Sequence, residues 1–484
     1  MINLIKNELF KIFKKKSTYI TILVFVGLLT LLNFALSYDV NTDYNDYMYS
    51  EDNISYLTES LQELNPSNYD EVEIYVSLKT ELEYVDFCSK YEKGSWQRTV
   101  AEEYSYEIIY AIVESQYLYK DSSVLAKSEA ELQELQTKLD ADDFKSFMND
   151  KKEIYEATIA NNKELLAVES DKARIKELEK TIKTAEINLE VTNYRINNDI
   201  KFDNSYLDEA LKYYETNKIY LLDFNAENMS KTEENEYKQV QKEVALNKYV
   251  IDNKADVNSF NTARNIFLTV ISDDMMFIII FVVMIAGSIV AEEFSKGTIK
   301  MLLIRPYSRL KIIAAKYISC LLMLLFINAI IILTQFLLGG IFLGFDSYNI
   351  PAIVYNFATE SLIEMSAVKY IATQFVAYLP MFLILLTLSF TVSTLFTSTA
   401  LSVTISLLTM LFSSIINELI IQYKIKVLSI FPTMCWDLSS FLYGGTHAFE
   451  YTSFGLCLGM SVLYIIIMLL IIGIVFKKKN IKNI

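Results

Sequence analysis

"AEEFSKGTIKMLLIRPYSRLKIIAAKYIS" (Ala291–Ser319) carries six cations, Lys296, Lys300, Arg305, Arg309, Lys311 and Lys316, between two long apolar runs. A Lys or Arg at mid-bilayer costs roughly 2.5–3.5 kcal/mol, so six would cost on the order of 15–20 kcal/mol. The Ile and Leu present cannot offset that. The stretch is therefore a loop outside the bilayer, and the apolar runs beside it are spans.

Working outward, the second half of the chain holds five such runs: Met275–Ala291, Tyr317–Phe342, Tyr370–Leu395, Ala400–Ile421 and Phe454–Phe476. A sixth lies near the start, where Tyr19–Ser37 ("YITILVFVGLLTLLNFALS") has no charge across nineteen residues. That is about the length a bilayer core requires. The rival reading of this run is a signal peptide cleaved after "ALS" (Ala35–Ser37), but its apolar stretch exceeds the usual length and favours a retained span. Six spans put both ends of the chain on one side. Basic residues cluster before the first span (Lys11, Lys14, Lys15, Lys16), between the second and third, and after the sixth (Lys477, Lys478, Lys479). All fall on that same side, which the positive-inside rule makes cytoplasmic.

Charge divides the chain into two materials. Residues 38–274 hold 26 Lys+Arg and 50 Asp+Glu, whereas the remainder holds 18 and 9, within a total net charge of -15. A large acidic block would repel phosphate, which argues against nucleic acid as a partner. The block contains only Pro66 and Gly94 as strong breakers and is rich in good helix formers. Val168, Ile175, Leu178, Ile182, Ala185, Leu189 and Ile196 follow a 3,4 spacing, with Asp171 and Thr192 interrupting it; Leu132, Leu135 and Leu139 repeat the step. The reading is a bundle of long helices with a short coiled-coil section. Tyr104, Tyr106, Tyr110, Tyr117 and Tyr119 are expected to pack that bundle; an aromatic surface for a peptide or lipid is the alternative.

The fold class is thus all-α: a six-span polytopic membrane protein with a long-helix, coiled-coil extracellular domain inserted between spans 1 and 2. The boundaries expected are 1–16 (cytoplasmic amphipathic helix), 17–37 (span 1), 38–274 (extracellular domain), 275–291 (span 2), 292–316 (cytoplasmic loop) and 317–342 (span 3). Then follow 370–395 and 400–421 (spans 4 and 5), 422–453 (extracellular aromatic, re-entrant segment), 454–476 (span 6) and 477–484 (basic tail). Trp436 in that aromatic segment suits a bilayer interface, and Pro380 is expected to kink span 4.

Within the basic loop, Gly297 can end the preceding helix with a positive φ. Thr298 can cap a short new helix over about Ile299–Ile304, with Ile299, Leu302 and Leu303 on one face. Pro306 stops it, and Ser308 can cap the helix that follows. An ordinary basic loop does not need an apolar face bracketed in this way.

"EEFSKGTIKMLLIRPYSRLKIIAAK" resembles the loop after the second span of ABC-2 type permeases, the membrane subunits of ABC exporters. The residues carrying the resemblance are Glu292, Glu293, Gly297, Thr298, Leu302, Leu303, Pro306, Ser308, Arg309 and Lys316. It implies that the short helix is a coupling helix, seated in a cleft of a partner ATPase. The amphipathic Ile2–Phe13 segment is similar to the family's N-terminal helix, making Leu9, Phe10 and Phe13 candidates for a further ATPase contact; a simple membrane anchor is the equal alternative. A 237-residue outer block departs from the short loop of many members.

The chain has no G-x-x-x-x-G-K-[ST], H-E-x-x-H or G-x-S-x-G, and its one histidine, His447, rules out a His-cluster metal site. It is read as a non-catalytic subunit that binds no cofactor, with ATP and magnesium on a separate P-loop ATPase. Other expected partners are a second copy or related permease, the lipid bilayer, and a cationic peptide or cell-surface partner at the acidic domain. Glu418, Gln374 and Gln335 are candidates for a substrate path, because polar groups inside spans are functional by default. The expected function is outward export of a peptide, antimicrobial or lipid-like substrate from a bacterial plasma membrane. The alternative is an ATPase-driven mechanical or signalling complex acting on a cell-surface partner without transport.

Overall fold

The computed structural model describes residues 1–484 except 38–46, 225–228, 258, 260, 300, 302–306, 397, 446, 448 and 480–484. The chain forms two compact units, one of Met1–Tyr38 with Ser259–Ile484 and one of Asp39–Asn258.

The first unit contains six helices long and apolar enough to cross a membrane: Lys16–Ser37, Ala263–Ser295, Arg309–Leu343, Ala367–Phe396, Thr399–Gln422 and Phe454–Lys478, here spans 1 to 6. Spans 2 and 4 form its buried centre, while spans 1, 5 and 6 turn most of their side chains outward. Outward apolar surface of this kind suits a lipid solvent, and a helix satisfies its own backbone there. The chain is a multi-pass membrane protein on this ground.

Small residues let the centre pack closely. A Cβ added to Gly287 in span 2 would lie 3.0 Å from Ser389 Oγ of span 4 and 3.1 Å from Val403 Cγ2 of span 5. Ser389 Oγ donates to the Val283 carbonyl at 2.9 Å, and Ser393 Oγ accepts from the Ala291 N–H at 3.0 Å. Both contacts cross between spans 2 and 4, as polar links in a bilayer commonly do.

Several expectations are corrected. Residues 259–274 belong with the membrane unit, not with the acidic block; span 2 begins at Ala263 and bends at Asp274. Arg264, Asp273 and Asp274 disguise this 11-residue helical extension, about three turns, as polar chain, yet Arg264 is buried and donates through Nη2 to the Pro351 carbonyl at 2.7 Å. The all-helical expectation misses a hairpin between spans 3 and 4, Ala352–Asn356 antiparallel to Ser361–Met365, with Ala352 opposite Met365. Trp436 is buried in the helical core, after a short helix, Pro432–Cys435. Span 5, expected as one run, is interrupted at Phe412.

The second unit is built from eight α-helices among the described residues, from Glu51–Glu63 to Lys231–Asn253. Its core gathers Val76, Phe87, Trp96, Val100, Ile109, Leu139 and Phe147. The longest pair, Phe144–Val168 and Lys172–Asn198, packs as a hairpin with Leu178, Ile182 and Ala185 buried. Val168 does not join that seam: it ends the first helix and is exposed. Asp171 does not break a helix but starts one, accepting from the Ala173 N–H at 3.1 Å. Further along, Thr192 is buried at the polar break in that seam, and Arg195, which lies next to the seam position Ile196, is buried as well. Of the five tyrosines, Tyr104, Tyr110 and Tyr117 pack on the core, whereas Tyr106 and Tyr119 are exposed.

Candidate functional site

The N-terminal helix, Ile2–Lys14, buries Leu4, Glu8 and Ile12 along one stripe. These are four residues apart and so share a face. A carboxylate in the middle of an apolar stripe demands a cation, and Lys316 of span 3 supplies it. Lys316 Nζ donates to Glu8 Oε2 at 2.7 Å and to the Ile289 carbonyl at 3.1 Å, and it pairs with Glu293 Oε1 at 2.8 Å. Three acceptors match the three donors of an ammonium group. Lys11 closes the ring, 2.8 Å from Glu8 Oε1 and 2.8 Å from Glu293 Oε1. Two cations and two carboxylates therefore balance, and Lys316 is only 1% exposed.

Electrostatics follow the geometry. Burial pushes the Glu8 carboxyl up, but Lys316 and Lys11 outweigh it and hold it below its ordinary value. Burial likewise opposes the charge on Lys11, while Glu293 and Glu8 raise it above the usual lysine range. A second pair extends the cluster outward: Lys15 lies 2.8 Å from Glu292 Oε1, and Lys296 lies 3.2 Å from Glu292 Oε2. Lys11, Lys15, Glu292, Glu293, Lys296 and Thr298 line a hollow of about 370 Å³ beside this ring.

Of the remaining loop residues, Gly297 and Ser308 take the places their chemistry suggested. Gly297 has φ +68, a left-handed value that favours glycine. Thr298 Oγ1 donates to the Glu293 carbonyl at 3.4 Å. Ile299 is fully buried and Met301 is exposed. Leu302, Leu303 and Pro306 lie outside the described residues. Ser308 caps span 3, accepting from the Lys311 N–H at 3.4 Å. Arg309 Nη1 donates to the carbonyls of Lys477 and Lys479, each at 3.0 Å, so span 3 also grips the end of span 6.

Not every expected residue converges here. Leu9 and Phe13 pack against the membrane core, Phe13 edge-on to Phe326 at 5.0 Å; only Phe10 of that trio is exposed. The three residues assigned to a substrate path do not meet. Glu418 is exposed, Gln374 is half-buried on another span, and Gln335 is engaged elsewhere. Gln335 Oε1 accepts from Asn33 Nδ2 at 2.7 Å, and its Nε2 donates to Asp274 Oδ2 at 2.6 Å. This buried Asn33–Gln335–Asp274 chain ties spans 1, 3 and 2 together at the bend of span 2. Sequence reading missed Glu8, Lys11 and Asp274 as partners. The usable signal was Glu8 itself, a lone acid on the apolar face of a basic helix.

These features define a class: a multi-pass helical membrane protein whose N-terminal helix is clasped by ion pairs to the adjoining ends of spans 2 and 3. Residues 240–482 match the family described as protein of unknown function (DUF2705), and the chain belongs to that family. It is also similar to YhcI of Bacillus subtilis (strain 168), described as uncharacterized, at 30% identity over 205 residues. That match covers 42% of this chain and 64% of YhcI, so it spans less than two thirds of the relative. No solved structure matches the chain.

Proposed function

We propose that this chain is the membrane subunit of an ABC-2 type exporter in a bacterial plasma membrane, driven by a separate P-loop ATPase. In this reading the termini and the loop after span 2 are cytoplasmic, and the acidic unit is extracellular. ATP and magnesium belong to the ATPase, and a second copy or related permease completes the pore. The cargo is a peptide, antimicrobial or lipid-like compound. One observation carries the reading: the Glu8–Lys316–Glu293–Lys11 ring joins the N-terminal helix to the ends of spans 2 and 3 that flank the coupling-type loop. A push delivered to that loop would move three helices as one body. The ring also gives Glu293 and Lys316, two residues of the permease-like stretch, a shared mechanical purpose.

Purification from the native membrane tests this directly. A P-loop ATPase should co-purify, and Leu302→Asp with Leu303→Asp should release it. Retention of the ATPase by that double variant, or its absence from the wild-type preparation, would refute the assignment.

The alternative, a complex that moves its outer helices against a cell-surface partner without transport, draws support from Gln335. Its amide is committed on both sides to Asn33 and Asp274 and so knits spans together. Deleting residues 39–258 separates the two: export that survives the deletion supports the first, and loss of a surface phenotype from a protein that exports nothing when intact supports the second.

A further inference from the structure

The acidic unit contains a cavity of about 450 Å³ with a polar wall, formed where the helices Trp96–Tyr117, Phe144–Val168, Lys172–Asn198 and Tyr206–Tyr220 meet. Its size is within the range of small-molecule sites. The charges on its wall are incompletely paired. Arg195 is 2% exposed and faces Asp208 through Nη1 at 2.8 Å, but its Nη2 has no hydrogen-bond partner among the described residues. Lys151 makes no ion pair among the described residues; its ammonium rests 3.7 Å from the centroid of the Tyr104 ring. Across the same cavity stands Glu215, which has no ion pair among the described residues either. Asn188 can donate to its Oε1 at 3.0 Å once its amide is turned.

Leaving a buried polar group without a partner is costly, so such a constellation is better explained by something that completes it. A simple anion would meet Glu103 and Glu215. A simple cation would meet Lys151 and Arg195. A metal ion lacks donors, since no group of three or more His, Cys, Asp or Glu occurs among the described residues. A molecule bearing both charges satisfies both walls at once. Tyr104, Phe147, Tyr155 and Phe202 add apolar and aromatic surface for a side chain.

We propose that this cavity binds a small zwitterion, an α-amino acid or dipeptide with an apolar side chain, its carboxylate toward Lys151 and Arg195 and its ammonium toward Glu215. The site lies wholly within the second unit and does not depend on the transport reading. Burial pushes the Lys151 ammonium below its ordinary range, which fits a cation awaiting a carboxylate.

The test is isothermal titration calorimetry of the full-length protein in detergent, with L-phenylalanine and glycyl-phenylalanine as probes. Saturable binding of at least one is expected. N-acetyl-phenylalanine and phenylalaninamide should each bind roughly tenfold or more weakly, because each lacks one charge-assisted contact. Lys151→Gln and Glu215→Gln should weaken the free zwitterion by a similar factor while the thermal transition remains cooperative. Absence of saturable heat for both probes at millimolar concentration would overturn the proposal. So would equal binding of the free and blocked forms, which needs no variant to fold, or binding that both substitutions leave unchanged.

Discussion

Lys316 Nζ lies 2.7 Å from Glu8 Oε2 although 308 residues separate them in the chain. Removing one partner of a buried ion pair leaves the other charge stranded, at a cost of about 3–5 kcal/mol. Lys316→Met should therefore lower the unfolding temperature in detergent sharply. Lys11→Met should cost roughly 0–1 kcal/mol, because its side chain is 48% exposed and its pairs are screened. Equal losses for the two would show that the ring does not hold the helix as described.

At the bend of span 2, Gln335→Leu takes the donor away from Asp274 Oδ2 and should cost about 1.5–3 kcal/mol, the range for a hydrogen bond to a charged group. Asn33→Leu should cost less, since it frees Gln335 Oε1 but leaves the Gln335–Asp274 bond standing. Thermal unfolding of the two variants and of their double mutant gives the coupling between them. Strict additivity would contradict a connected chain.

Glu215 offers a pH signature in the acidic unit. Burial raises its carboxyl to about 7, with Arg195 opposing and Glu103 adding to the shift. A carboxyl raised in the folded state stabilises fully below its unfolded value, and that contribution is lost as pH rises through about 7. Glu215→Gln should match the wild type near pH 5 and be more stable than it near pH 8, by on the order of 2–3 kcal/mol. Circular dichroism melts across this window measure it; parallel wild-type and variant curves would show that Glu215 titrates normally.

Gly287 is where spans 2, 4 and 5 come closest. Gly287→Val should force them apart and cost about 1–3 kcal/mol. Gly459→Ala is the control, for a Cβ there meets nothing within 4 Å. A comparable loss from both substitutions would show that close packing does not distinguish Gly287, because either substitution by itself favours the helix.

The six spans were legible because composition decides them: a helix must hide its backbone from lipid, and only long apolar runs can. Gly297 and Ser308 were legible for local reasons, a positive φ and a cap. Glu8 was not, because its partner is fixed by tertiary packing and no spacing rule connects residues 8, 293 and 316. The hairpin at 352–365 escaped notice since its five-residue strands are short and flanked by dominant apolar helices. The burial of Arg195 was not legible from the spacing in the acidic unit: a cation next to the seam is acceptable inside once Asp208, on another helix, is buried beside it. Residues 259–274 were misassigned for the same reason, since their charges are satisfied by chain that lies far away in sequence.

The clasp around Lys316 also dictates an order of events during synthesis. Glu8 leaves the ribosome first, and its partner emerges only 308 residues later. At about 5–20 residues per second, that interval is roughly 15–60 s. Throughout it the N-terminal helix has neither Lys316 nor Glu293 to dock against, and only after span 3 is made can it find its seat. Final closure of this end of the protein is thus a late step that awaits the synthesis of span 3.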